Sequence, residues 1–213
     1  IACAPEEARA RIIENCLVGV DVDPTAIESA RVRLGPDCEL DCADALFDWR
    51  FDTDGRPTAF VGNPPFLGGG RISTIKGAPY QKRLLAEWTP ANGGADLCTY
   101  FLLLAADVLD QGGSMGTFSF ICTNTISQGR TREAGLAWLQ NEHRDVIYCA
   151  DRAIPWPGAA NITVSIVHLA NEELWREIGE RNAAGVEYEP WLCTPPNNAR
   201  GSTPLRRSSR VMS

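Results

Sequence analysis

The sequence predicts an α/β protein built on a mostly parallel, doubly wound sheet. Short apolar runs alternate with segments whose apolar residues have helical spacing, the pattern of strand–helix units. Acidic or polar residues directly follow several of these runs, as ligand-binding residues do at the carboxyl ends of parallel strands. The 213 residues, 44% of them hydrophobic, are enough to bury a core, so we expect one domain over residues 1–184. Residues 185–213 lack periodicity and predict a disordered tail.

The first part of the chain predicts two strand–helix units. A helix over 5–15, with Ala8, Ile12 and Ile13 on one side, precedes a buried strand at 16–20. That strand ends in Asp21-Val22-Asp23-Pro24, where Asp23 is expected to cap a helix over 26–34. A further strand within 39–46 has Asp44 at its exit.

The second part continues the alternation. Residues 56–60 predict a buried strand, and residues 68–73, which begin with three glycines, predict a flexible segment that can close over a substrate. A helix over 95–109 has Leu97, Phe101, Leu104, Ala105 and Val108 on one face. Further strands at 115–122, 145–150 and 161–169 and a helix at 131–139 follow. A rigid, aromatic loop at 154–158 contains Trp156, which either lines the site or, as the favoured interpretation, serves as a packing residue.

Composition limits the function classes. The net charge is −7 and most of the chain lacks a basic face, so either the chain does not bind nucleic acid or the DNA-binding surface lies mostly in a part not present here. The eight cysteines are scattered without metal-ligand spacing and are expected to be mostly buried in a reducing compartment. His143 and His168 stand outside any ligand-spaced cluster, so no metal is expected. No run is long enough to span a membrane and no signal-like segment is present, which favours the cytoplasm.

The stretch Asn63-Pro64-Pro65-Phe66, here named the Asn-Pro-Pro-Phe motif, directly follows the predicted strand at 56–60 and Val61-Gly62. The two prolines fix the backbone and remove two N–H donors, so the Asn63 side chain and the Pro64 carbonyl are left as outward acceptors. Phe66 adds an aromatic face. Two acceptors and one ring form a site for a planar group that bears an exocyclic amine.

Two acidic residues at strand ends predict a second binding element. An acid at the place of Asp21 commonly accepts hydrogen bonds from a ribose, and Asp44 is suited to an amine or a second hydroxyl of the same ligand. A solvated turn aspartate is an almost equally good interpretation of Asp44.

The strand ends at Asp21 and Asp44 and the Asn-Pro-Pro-Phe motif, in this order, resemble those of S-adenosylmethionine-dependent methyltransferases that act on amino groups. Residues 66–73, 123–129 and 155–158 are similar to the methyltransferase part of large adenine-specific restriction-modification proteins. The resemblance implies a Rossmann-like class I methyltransferase fold, S-adenosylmethionine as cofactor and DNA as partner. It implies that Asp21 binds the cofactor ribose, that Val22 lies against its adenine and that Asp44 faces its amino group. Asn63 and Pro64 would accept hydrogen bonds from adenine N6, with Pro65 stiffening the motif and Phe66 stacking on the flipped-out base.

The family's glycine-rich cofactor loop has no counterpart before Asp21. The expectation is therefore a partial methyltransferase domain that lacks its first central strand, which in the family lies between the strands ending at Asp21 and Asn63. Such a fragment is expected to bind cofactor weakly and to methylate little alone.

Two alternatives remain open from the sequence. The same acceptor pair suits a protein glutamine amide or an RNA guanine amine, and methylation of DNA versus a release-factor protein would separate these. A non-catalytic Rossmann-like remnant is the alternative from another class. The DNA target sequence, an attached nuclease and the oligomeric state do not follow from the sequence.

Overall fold

The computed structural model describes residues 4–90, 92–156 and 162–183, and it confirms an α/β protein in which helices pack on β-sheet. The chain divides into two compact units, which comprise residues 1–51 and 52–213. The predicted tail at 185–213 lies outside the described residues. No helix in the described part of the chain is long and apolar enough to cross a membrane.

The first unit contains two helices and a two-stranded parallel sheet, as the sequence predicts. Its elements are α1 (Pro5–Cys16), β1 (Val18–Asp21), α2 (Pro24–Leu34) and β2 (Glu39–Cys42). The register places Asp21 opposite Cys42. Asp23 accepts a 2.8 Å hydrogen bond from the Thr25 amide and caps α2, which confirms its predicted capping role.

Burial in this unit is lower than the apolar pattern predicts. The three residues at 18–20 are only half-buried, and Ile12 and Val22 are 57% and 59% exposed. Of the predicted apolar face of α1, only Ile13 is buried. The prediction of a buried β1 is therefore wrong for this unit, because a two-stranded sheet with two helices covers little apolar surface.

The second unit contains the larger sheet. In chain order it comprises β3 (Thr58–Gly62), α3 (Gly69–Lys76), α4 (Ala78–Glu87), α5 (Leu97–Gln111), β4 (Gly116–Thr123), a 3₁₀ turn (Asn124–Ser127), α6 (Gly129–Arg132), a π-helical turn (Glu133–Ala137), α7 (Trp138–Asn141), β5 (Val146–Pro155), β6 (Thr163–Ala170) and α8 (Glu172–Ala183).

This sheet is mixed, with strand order β3-β4-β6-β5. β3 and β4 pair in parallel, whereas β6 is antiparallel to both of its neighbours. The expectation of a mostly parallel sheet is therefore wrong for the described strands. The cause is the short connection between β5 and β6, because a parallel pair needs a long crossover.

The core of the second unit lies between α5 and one face of the sheet. Residues alternate along β4, and Phe118, Phe120 and Cys122 are buried on the face toward α5. α5 itself is buried on most sides: Leu102, Ala106 and Leu109 are inaccessible to solvent, whereas the predicted face residues Phe101, Leu104 and Val108 are half-buried. The single-face prediction is wrong because α5 packs against several elements at once.

Three further predictions need correction. Residues 69–73 are not a flexible segment, because they form the start of α3, which anchors itself through the buried Ile72. The predicted loop at 154–158 begins inside β5, whose last residue is Pro155, and Pro157 and Gly158 lie outside the described residues. β3 runs two residues further than predicted, and Ala59 and Val61 on one of its faces are exposed.

Candidate active site

The Asn-Pro-Pro-Phe motif follows β3 directly at the carboxyl end of the strand. Asn63 is exposed, and within the described residues nothing hydrogen-bonds to its side chain or to the Pro64 carbonyl. Pro64 itself is buried and fixes this segment against the unit. The motif therefore has two acceptors without a partner among the described residues, on a backbone that its two prolines stiffen.

The far end of the motif is held by the start of α5. The Leu97 amide donates a 2.8 Å hydrogen bond to the Leu67 carbonyl, and Leu67 is buried. Asp96 caps α5 by accepting from the Cys98 amide at 3.1 Å. Since β3 holds one end and α5 the other, the motif has little freedom to change shape.

Gly62 brings the motif close to β4. A side chain at this position would begin 2.8 Å from the Phe120 ring, so the strand end accommodates only glycine without a shift of that ring. Phe120 is the cross-strand partner of Gly62 and belongs to the core. The start of the motif is thus packed directly on the hydrophobic core.

Polar side chains surround the carboxyl end of β4, which continues to Thr123 beyond its last pairing with β3. Thr123 Oγ1 and Thr125 Oγ1 lie 2.8 Å apart, and Ser165 Oγ donates to Asn124 Oδ1 at 3.1 Å. Because β3 and β4 are parallel, these groups share the sheet edge with the motif. The sequence associates residues 123–125 with the functional site only through the family resemblance.

Cys98 lies beneath this edge, with its sulfur 3.8 Å from Thr123 Oγ1. A hydrogen bond with Cys122 and burial raise the pKa of the Cys98 thiol well above its ordinary value. The thiol therefore stays neutral and is not a nucleophile for this site.

Trp156 contacts the aromatic ring of the motif. The Phe66 and Trp156 rings meet edge to face at 87°, with centroids 6.5 Å apart, and both are half-buried. The Trp156 amide donates to the Ile162 carbonyl at 2.9 Å, which fixes the tryptophan at the end of the β5–β6 pair. The rigid Pro-Trp-Pro sequence offers both interpretations of Trp156, and the contact with Phe66 places its ring beside the motif.

In the first unit, Asp21 and Asp44 gather at one sheet edge. The Ala43 amide donates to the Asp21 carbonyl at 3.1 Å and joins the end of β1 to the exit of β2. Asp21 Oδ1 accepts from the Asp23 amide at 2.8 Å, and the exposed carboxylate has its second oxygen available. Asp44 Oδ1 accepts from the Leu46 amide at 3.0 Å and shapes the turn. Val22, 59% exposed, follows Asp21 directly.

Neither histidine contacts a residue of the Asn-Pro-Pro-Phe motif in the described part of the chain. His143 lies between Asp145 and Asp110, at the end of α5 opposite the one that meets the motif. His168 Nδ1 and Ser119 Oγ form a hydrogen bond of 2.8 Å, and burial lowers the pKa of His168. Among the described residues, no group of three or more potential ligands is arranged to hold a metal ion.

Of the eight cysteines, Cys38, Cys98 and Cys122 are buried as predicted. Cys16, the last residue of α1, and Cys42, the last residue of β2, are exposed, which contradicts the prediction for these two positions.

Two of the solved structures to which this chain is similar are methyltransferase-related. The first is the Type IIL restriction-modification enzyme MmeI in complex with DNA, at 23% identity and a TM-score of 0.48; the match covers 62% of this chain and 18% of that one. The second is the 23S rRNA methyltransferase ErmE, at 15% identity and a TM-score of 0.39, over 87% of this chain and 80% of that one. No protein-family model matches the chain, and no curated relative is found. The scores are low, so function has to be argued from the residues themselves.

Proposed function

We propose that this chain carries catalytic residues of an S-adenosylmethionine-dependent methyltransferase. Its substrate is the N6 amine of an adenine in DNA, within a restriction-modification or related defence system. The observation that carries this proposal is the exposed Asn63 side chain, free of hydrogen bonds within the described residues and followed by two prolines and a Phe66–Trp156 ring pair.

The chemistry follows from the two acceptors. An adenine amine is a poor nucleophile because its lone pair is delocalised into the ring. Hydrogen bonds from both amine hydrogens, to Asn63 Oδ1 and to the Pro64 carbonyl, favour a more tetrahedral nitrogen and stabilise the positive charge that develops on it. An amide is not a general base, so Asn63 would only hold and orient the amine. The new N–C bond would form as the methyl–sulfur bond of the cofactor's sulfonium breaks and S-adenosylhomocysteine leaves, and the nitrogen would then lose its proton to solvent. Rigid support of the motif by β3 and α5 contributes orientation.

The aromatic pair supplies the surface for the base. A base inside a duplex cannot reach a side chain at a strand end, so the adenine has to be flipped out of the stack. Phe66 then stacks on the base, and Trp156 fixes the Phe66 ring by its edge-to-face contact.

The residues of the first unit fit a nucleoside cofactor. Asp21 keeps one carboxylate oxygen for the ribose hydroxyls, the exposed Val22 offers an apolar surface to the cofactor adenine, and Asp44 faces its amino group. When bound, S-adenosylmethionine supplies the electrophilic methyl group.

The first experiment is calorimetric titration of S-adenosylmethionine into this chain, with Asp21→Ala as the comparison. We expect weak binding by the parent chain and loss of binding in Asp21→Ala. Equal binding by the two would refute the ribose role of Asp21, and no binding by the parent chain would favour a non-catalytic remnant.

The second experiment measures methyl transfer from labelled cofactor to DNA by the chain, with the product identified by mass spectrometry. N6-methyladenine is expected, and Asn63→Ala should lower the rate about 10²–10³-fold, the usual loss for one transition-state hydrogen bond. Asn141→Ala is the matched control, since Asn141 is exposed at the end of α7. Label found on RNA or on protein glutamine instead would refute the DNA assignment.

A further inference from the structure

The longest stretch without acidic residues in this acidic chain includes the motif. No Asp or Glu occurs from position 55 to 86, although the net charge of the chain is −7. Four basic residues of this stretch lie in α3 and α4, here named the α3–α4 basic surface: Arg71, Lys76, Lys82 and Arg83.

These cations are on the surface and are mostly not neutralised. All four are exposed, and only Arg83 pairs with a carboxylate, that of Glu87 at 2.7 Å. In the part of the chain that the structure describes, no carboxylate lies within ion-pair distance of Arg71, Lys76 or Lys82. Lys76 lies over the Tyr80 ring, with its ammonium 5.3 Å from the centroid. The fold therefore leaves positive charge available for an external anion.

Packing holds this surface beside the motif. α3 begins three residues after Phe66, and the buried Ile72 and Leu84 anchor α3 and α4 to the unit. Gly69 packs on the backbone of Gly94, where a side chain would begin 2.5 Å from the Gly94 carbonyl carbon.

Arg130 adds another exposed cation to the same region. Its side chain lies against Gly94, where an added Cβ would come within 2.5 Å of Arg130 Cδ. The Asn92 side chain donates to the Arg130 carbonyl at 3.4 Å and ties α6 to this glycine loop. Gly94 thus contacts both the start of α3 and Arg130.

We infer that the α3–α4 basic surface, together with Arg130, binds the phosphate backbone of DNA next to the flipped adenine. This inference rests on the proposed function and adds a DNA-binding surface within this chain to the regions expected mostly outside it. A flipped base stays joined to its own phosphates, so cations beside the base pocket meet the flanking backbone. Arg and Lys are the usual phosphate partners, and binding of this kind is independent of sequence and dependent on salt.

The test measures binding of a labelled short DNA duplex to the chain by fluorescence anisotropy, from about 50 to 200 mM salt. Arg71→Gln/Lys82→Gln should reduce the slope of log K against log salt by roughly 1.8, about 0.9 for each lost phosphate contact. Arg56→Gln/Arg176→Gln is the matched control. It removes the same charge from exposed positions before β3 and on α8 and should leave the slope nearly unchanged. Because all four positions are exposed, both variants should keep the unfolding midpoint of the parent chain.

Each outcome decides the question. Equal slopes for the two double variants would mean that only total charge matters and would overturn the inference, as would failure of the parent chain to bind DNA. Tighter binding of an RNA duplex would overturn the assignment to DNA. The proposed function is tested separately by product formation. If the slope changes as expected but no N6-methyladenine forms, the basic surface stands and the proposed methylation fails.

Discussion

Gly69→Ala tests whether the contact between α3 and the loop before α5 holds the motif in place. The ideal Cβ at position 69 lies 2.5 Å from the Gly94 carbonyl carbon and 2.6 Å from the Ala95 carbonyl oxygen. Both are backbone atoms, and these distances are about 1 Å short of ordinary contact. Since backbone cannot rotate away as a flexible side chain can, α3 or the loop has to move.

The neighbouring glycine provides the control. Gly70 lies in the same turn of α3, and an added Cβ there meets nothing within 4 Å. Both substitutions gain the helix propensity of alanine, up to about 1 kcal/mol, so this contribution cancels in the comparison. The remaining difference is the overpacking at Gly69, which we estimate at roughly 1–3 kcal/mol.

The free energy of unfolding is measured by urea denaturation, followed by tryptophan fluorescence. Gly69→Ala should be less stable than Gly70→Ala by roughly 1–3 kcal/mol. In a separate heat-denaturation experiment this difference corresponds to roughly 3–10 °C in the thermal unfolding midpoint. The displaced loop carries the Leu97 amide that bonds to Leu67, so methyl transfer should also fall in Gly69→Ala only. Equal stability of the two variants would refute the packing argument.

Three further predictions concern the pH dependence, the aromatic pair and local stability. The hydrogen bond to Asp145 is the main reason why the pKa of His143 lies above its ordinary value of 6.5, with smaller contributions from the charges of Asp110 and Asp107. Protonated His143 therefore stabilises the fold below about pH 6.5, and this contribution is lost as the pH rises through the raised pKa. His143→Gln should flatten the fall in midpoint as the pH rises above about 6.5, and an unchanged profile would contradict the assignment. Phe66→Leu should weaken binding of a DNA with an extrahelical adenine by about 1–3 kcal/mol, whereas Trp175→Leu on α8 should not; equal losses would exclude stacking on Phe66. Hydrogen exchange should be faster in β1 and β2 than in β4, because the first unit buries less apolar surface; uniform protection would show that the first unit is as stable as the second.

The local elements were largely predictable. Helix starts at Pro5, Pro24 and Leu97 follow from proline or capping aspartate at the right position, which are short-range effects that a sequence displays directly. The motif at the end of β3 was predictable for the same reason, since proline fixes its own backbone whatever surrounds it.

Predictions that depend on partners in space were less successful. Gly68, Gly69 and Gly70 were interpreted as a flexible segment, since glycine has a low helix propensity. The helix forms because Ile72 is buried and because only glycine fits where Gly69 meets Gly94, a contact between residues far apart in sequence. The direction of β6 likewise depends on a short connection and not on local pattern.

The sequence by itself determined the α/β class, the strand-end positions of Asp21, Asp44 and Asn63, and the acceptor chemistry of the motif, because these depend on periodicity and on the geometry of single residues. The tertiary structure decided that Trp156 contacts Phe66 and that Arg130 joins the α3–α4 basic surface. It also decided that α5 is buried on most sides. Each of these results comes from packing between distant segments, and the free energy of such contacts is not encoded in any local stretch of the chain.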